Sequence, residues 1–203
     1  MFKSDLLIEK LNDPNVCQKF GFNTENIMCM FLPDTYFVYW NISPDDFMER
    51  MHKEYKKFWN EERLEKAQVM KMTPTDVGIM ASIVQSETNK KDEMPRVAGV
   101  YLNRIATAMP LQADPTIKFA VGDFSIKRIL NQHLSINSPY NTYVHTGLPP
   151  GPIALPERVA INAVLNHETH NYIYFCAKED FSGYHNFAVS YTDHLKNADI
   201  YQA

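Results

Sequence analysis

Residues 73–89, TPTDVGIMASIVQSETN, constrain this chain more than any other stretch, because they read as a helix that opens on capping signals and closes on a carboxylate. Thr73 can serve as N-cap, Pro74 fits the first helical position, and Asp76 stands three residues after the cap. Negative charge there suits exposed N–H groups and the helix dipole. At about 100° per residue, Val77, Met80, Ala81 and Val84 share a face, and Glu87 falls at the edge of that arc beside Met80 and Ile83. Its carboxylate is expected to point toward packed, partly desolvated space. It also lies in the last turn, where the negative end of the dipole opposes ionisation, so burial and position both push its pKa upward. A general acid working near neutral pH needs a raised carboxyl pKa; the plainer role for a Glu near a helix end is a solvated or capping group.

Around this segment the pattern predicts a mostly helical chain. Ser4 to Leu11 reads as a short amphipathic helix, and Pro14 to Ile27 as a mixed connector. The aromatic-rich run Met28 to Trp40 suits an extended, strand-like segment broken by Pro33. Ser43-Pro44-Asp45-Asp46 starts a helix reaching about Asn60, with Phe47, Met51, Tyr55 and Phe58 as a core-facing stripe. A helix from about Asp92 to Ala108 tolerates Pro95 in its first turn and places Val97, Val100, Tyr101 and Arg104 on one face. Arg104 on such a face needs a carboxylate, a set of backbone carbonyls or a ligand. Downstream, a helix is expected over 156–165, strands over 171–177 and 184–187, and a closing helix over 192–201. Helices with strands that do not alternate regularly favour an α+β fold.

Several polar groups are candidates for binding. Gln112 and Asp114 alternate as they would on an extended strand ended by Pro115, which would aim both side chains one way. A capped turn, with Asp114 accepting from backbone N–H groups, reads equally well. Tyr140, Asn141 and Tyr143 put rings and an amide in a Pro-bounded loop of the type on which a pyranose face can stack. The tract from Gly147 to Pro152 cannot be regular helix or central strand and reads as a stiff wall beside a groove. His167, His170, His185 and His194 raise the question of a metal, but their spacing is not His-Glu-x-x-His, so no metal site is expected. His185, after Gly183, is the histidine placed best for the groove.

Composition excludes several classes. The 203 residues, 45% of them hydrophobic, can bury a core, so the chain is not a disordered protein. Net charge is −4 and no basic run interleaves with aromatics, so nucleic acid is not an expected partner. Cys17, Cys29 and Cys176 lack metal spacing and read as buried free thiols. No stretch of about 20 apolar residues could cross a bilayer, and the first residues lack the apolar core of a signal peptide.

Six motifs in order carry a resemblance. They are Phe31-Leu32-Pro33-Asp34-Thr35-Tyr36, Ala81-Ser82-Ile83-Val84 through Glu87-Thr88, Val100-Tyr101-Leu102-Asn103-Arg104, Leu111-Gln112-Ala113-Asp114-Pro115-Thr116, Tyr140-Asn141-Thr142-Tyr143, and Gly147-Leu148-Pro149-Pro150-Gly151-Pro152-Ile153. Together they resemble the YceG-like, MltG-type endolytic murein transglycosylases. Family members often carry a second acid two residues before the catalytic Glu, where this chain has Gln85. The resemblance implies a helical catalytic domain with a small β-sheet, not a lysozyme-type fold, over residues 28–203. It implies that residues 1–27 are a remnant of, or connector from, an upstream LysM-like domain. It further implies a longer protein anchored in the inner membrane, its catalytic part on the periplasmic, cell-wall side, with peptidoglycan glycan strands as substrate and penicillin-binding proteins or other wall synthases as partners. Glu87 would be the acid, and Asn103, Arg104, Gln112, Asp114, Thr116, Tyr140, Asn141, Tyr143 and His185 would hold the glycan, with no cofactor. Two rivals stand beside this reading: a non-catalytic peptidoglycan-binding scaffold, and a metal-dependent hydrolase using the histidines.

Overall fold

The computed structural model describes residues 2–126 and 129–202. Helices α1 (Ser4–Leu11) and α2 (Pro14–Lys19) lead through a 3-10 turn at Ile27–Met30 to α3 (Pro44–Phe58), α4 (Glu61–Val69) and α5 (Pro74–Glu87). Then come α6 (Met94–Ala106), α7 (Asp114–Val121), α8 (Arg158–Leu165), strands β1 (Tyr174–Ala177) and β2 (His185–Ala188), and α9 (Tyr191–Gln202). The two strands pair antiparallel, Tyr174 opposite Ala188 and Ala177 opposite His185, and α9 packs against them. This is the α+β arrangement expected from the sequence.

α5 is the hub. Its start is the expected capping box: Thr73 Oγ1 accepts from Asp76 N, and Asp76 accepts from Thr73 N. The helix differs from a one-sided amphipathic stripe, because every residue from Val77 to Val84 is buried. α8 and α6 pack on it, and small residues let other chain segments close over the rest. A Cβ on Gly78 would lie 3.1 Å from Cys29 Sγ. Ser82, wholly buried, donates to Ile79 O and accepts from Ile153 N, so the 147–153 tract is tied directly to the helix.

A second, smaller core joins Cys17, Phe20, Phe22, Ile27, Cys29 and Met30 to Met48 and Met51 of α3 and Ile79 of α5. It packs the two sides of residue 27 together. All three cysteines are free thiols, and burial pushes that of Cys29 up to about 12.

Two expectations require correction. Residues 28–40 hold the end of a 3-10 turn and then irregular chain, with Phe37, Tyr39 and Trp40 exposed. Among the described residues no strand pairs with them, and β-propensity without a partner does not make a strand. Residues 111–116 are likewise not a strand. Pro115 sits in the first turn of α7, where its missing N–H costs nothing, so it opens a helix instead of ending a strand. The extended pairing nearby is a single bridge between Pro110 and Thr146.

Candidate active site

Glu87 is the last residue of α5, and the chain leaves the helix at Thr88, which is extended at φ −141° and ψ 136°. The half-buried carboxyl accepts one hydrogen bond, from Tyr101 Oη at 2.7 Å. Tyr101 is itself buried on α6, so its hydroxyl is committed to Glu87. Beside them Tyr143 Oη donates to Asp114 Oδ1 at 2.6 Å. Burial raises the Glu87 pKa to about 7: the Tyr101 bond opposes this, the Asp114 charge adds to it, and Arg104 and Lys118 oppose it more weakly. The direction is the one expected from the helix position, with desolvation as the dominant cause. Burial and the adjacent carboxylates raise the Tyr101 and Tyr143 phenols, so both remain protonated donors.

An open groove of about 840 Å³ runs past this carboxyl, lined by Ser86, Glu87, Asp114, Pro115, Lys118, Ile129, Tyr201 and Gln202. It is a concave, largely polar space beside one protonatable acid.

The remaining candidates divide between the groove and its supports. Asp114 lines the groove, and Tyr143 bonds it. Gln112 is exposed, with backbone in the left-handed region at φ +50° and its N–H donating to Thr142 O. Thr116 and Asn141 are wholly buried. Thr116 Oγ1 lies 2.8 Å from Thr142 Oγ1, which accepts from Ala113 N, and this knot joins the start of α7 to the 140–143 loop. Asn141 donates to Leu134 O and Ile136 O and accepts from Tyr143 N, so its amide builds the loop that aims Tyr143 at Asp114. The Tyr140 ring packs on Phe119, with centroids 4.7 Å apart.

Arg104 finds the backbone carbonyls its position demanded: Nε donates to Ile173 O at 2.7 Å and Nη1 to Leu111 O. Asn103 donates to the carbonyls of His170 and Tyr172. Both residues therefore clamp the irregular segment that precedes β1 onto α6. His185 pairs through Nδ1 with Glu93 Oε2 at 2.7 Å and is not among the groove-lining residues. The Gly147–Pro152 tract also lies elsewhere. Leu148, Pro149 and Pro150 border a hollow with Phe20, Phe22 and Tyr55, and Gly151 presses on the chain so closely that a Cβ would meet Glu25 O at 2.0 Å.

Among the described residues, no group of three or more His, Cys, Asp or Glu could hold a metal ion. The histidines serve separate neighbours: His170 Nε2 lies 2.9 Å from Arg96 O, and Glu168 pairs with Arg96.

Sequence reasoning did not single out Tyr101, Lys118, Ser86 or Tyr201 for the site. Tyr101 stands fourteen residues from Glu87, and its place on the buried face with Arg104 was the signal that could have found it. Lys118 and Tyr201 come from helices whose approach to the groove no local pattern encodes.

A central buried helix thus ends in a carboxyl with a raised pKa, beside an open, largely polar groove and a second, tyrosine-bonded carboxyl group. The YceG-like family profile matches residues 2–200, and the chain belongs to that family. The endolytic murein transglycosylase of Bacillus subtilis is 43% identical over 101 residues, covering 50% of this chain and 28% of that protein. The endolytic murein transglycosylase of Streptococcus pneumoniae is 32% identical over 130 residues, 62% of this chain and 23% of that protein. The chain thus spans about a quarter of the length of these curated relatives. A crystal structure of a YceG-like protein from Listeria monocytogenes superposes with a TM-score of 0.81 at 27% identity, covering 97% of this chain and 67% of that one.

Proposed function

We propose that this chain is the catalytic part of an endolytic peptidoglycan lytic transglycosylase, with Glu87 as its single acid and base. The observation that carries this is a carboxyl whose pKa burial raises to about 7 on the wall of an open groove. An ordinary glycosidase divides its work between two carboxylates set at a defined separation. Here the second one, Asp114, accepts a hydrogen bond from Tyr143 and stabilises charge.

In the proposed reaction, protonated Glu87 delivers its proton to the glycosidic oxygen of the β-1,4 bond between N-acetylmuramic acid and N-acetylglucosamine. That bond breaks and the N-acetylglucosamine side leaves as an alcohol. Positive charge developing at C1 of the muramyl ring is stabilised by the carboxylates of Asp114 and of Glu87, now ionised. Glu87 then accepts the proton of the C6 hydroxyl of the same ring as its oxygen attacks C1, closing a 1,6-anhydro bridge. One group gives a proton and recovers one, so it returns to its starting state without a water nucleophile. The nucleophile is tethered to the sugar, and its high effective molarity replaces a positioned water.

Tyr101 holds the Glu87 carboxyl, Tyr143 holds Asp114, and the roles of Gln112 and Tyr140 in binding the glycan remain part of the proposal, as do those of Asn103, Arg104, Thr116, Asn141 and His185 in shaping the groove. Cleavage inside nascent strands would end their elongation. The anchoring of the whole protein in the inner membrane, through a segment outside this chain, and its work beside penicillin-binding proteins belong to the same proposal; among the described residues no helix is long and apolar enough to cross a membrane.

Mass spectrometry of soluble products from purified peptidoglycan tests the reaction. The expected products carry 1,6-anhydromuramyl ends and are absent with Glu87→Gln. Reducing ends would mean that water is the nucleophile. Glycan binding without cleavage by either protein would favour the scaffold.

A further inference from the structure

Phe181 stands in the loop between β1 and β2, and its ring is 81% exposed. Its backbone lies in the left-handed region at φ +53°. A bulky side chain at such a φ is strained, and the same loop already uses a glycine for this conformation at Gly183, φ +79°. A glycine at 181 would relieve the backbone, yet the chain keeps an aromatic ring that the core does not use.

Among the described residues the ring has one aromatic neighbour. Its centroid lies 5.9 Å from that of Tyr201, tilted by 57°. Tyr201 is 40% exposed and is itself one of the residues lining the groove beside Glu87. Tyr201, from the end of α9, thus belongs to the groove wall, and the Phe181 ring of the hairpin loop lies against it. A β-linked pyranose presents an apolar face of C–H bonds rimmed by hydroxyls, and an exposed aromatic pair next to a polar groove is complementary to both parts.

The geometry points to an aromatic subsite formed by Phe181 and Tyr201, which takes the pyranose face of a glycan residue at the outer end of the Glu87 groove. This rests on the proposed glycan substrate and adds a binding site outside the acid centre. Strain at Phe181 is retained because the ring is used in binding; its removal should help the fold and harm the ligand.

The test is calorimetric titration of the Glu87→Gln protein with peptide-free glycan strands and with a β-1,4-linked N-acetylglucosamine tetramer. The titration is repeated after adding Phe181→Gly or Tyr201→Ser, and Tm is measured for each protein. The subsite predicts about three- to tenfold weaker binding for each added substitution, the scale of one aromatic contact. It also predicts a higher Tm for Phe181→Gly. Unchanged binding in both added variants overturns the subsite and leaves the proposed reaction intact. Weaker binding with a lowered Tm in Phe181→Gly also overturns it, since the ring would then be structural. If the Glu87→Gln parent binds no glycan, the subsite fails together with the proposed substrate, and the product assay will be negative as well.

Discussion

Two carboxylates six positions apart, Glu87 and Glu93, divide the work of this molecule. Glu93 is buried and accepts from Thr88 Oγ1 at 3.2 Å and from His185 N at 2.8 Å, with His185 Nδ1 2.7 Å from its Oε2. These bonds pin the β hairpin to the turn that follows α5. Glu87 receives one donor and faces a groove. A carboxylate whose lone pairs are filled by the fold is a structural clamp; one left short of donors and partly desolvated is ready to hold and release a proton.

The sharpest way to break this contrast is to compare substitutions at the two sites. Glu87→Gln should lower the rate of anhydro-product formation by about 10²- to 10⁴-fold, the range of general acid–base catalysis, while leaving a folded protein. A residual rate close to the parent's, in a product assay at 25 °C, would remove Glu87 from the chemistry. Glu93→Ala should instead cost about 3 kcal/mol in urea unfolding, because it leaves Thr88 Oγ1, His185 N and the His185 ring without their buried partner, with activity lost mainly through unfolding. A stability unchanged within error would mean that the clamp is not one.

Glu87 should also reveal itself in the pH dependence of stability. Its folded pKa is raised from 4.5 to about 7, so across that interval the folded state binds more protons than the unfolded chain. Ionising Glu87 therefore removes stability as pH rises through the window. Glu87→Gln should match the parent near pH 4 and exceed it above pH 7 by about 1–3 kcal/mol, discounted for the open side of the groove. An equal gain at both pH values would exclude ionisation as its cause. The smallest effects separate the neighbours of Glu87. Tyr101→Phe removes a bond that favours the ionised form and should move the alkaline fall of kcat/KM to higher pH, whereas Asp114→Asn removes a repelling charge and should move it lower. Shifts in the same direction would contradict this assignment of causes.

Much of the frame was legible because helix starts are written locally. Thr73-Pro74 with Asp76 and Ser43-Pro44 with Asp46 each cap as their residue types require. α4 was not anticipated: its buried residue is Ala67, so it has almost no apolar periodicity to read, and it is marked only by the Asn60 cap. The start of α7 was misread because Pro115 closes a strand or opens a helix equally well, and the Thr116–Thr142 knot that decides between them spans distant sequence.

The sequence placed Glu87 at the end of a buried helix, where the structure has it, and said less about which groups surround it. Position on the helix was enough to expect a raised pKa at Glu87, since the dipole and the apolar arc are local properties. Asn103 and Asn141 direct their amides to backbone carbonyls, and Thr116 its hydroxyl to a carbonyl and to Thr142. Only tertiary structure tells a polar residue that builds a loop from one that lines a groove. Tyr101 makes the same point in reverse, a residue whose sequence position reads as core and whose hydroxyl reaches the acid.

The most direct test is an NMR titration of the side-chain carboxyl carbons of glutamate in the parent protein and in Glu87→Gln. The resonance missing from the variant should titrate with a midpoint near 7. A midpoint near 4.5 for that resonance would contradict the claim that the fold holds Glu87 as a protonated acid at neutral pH.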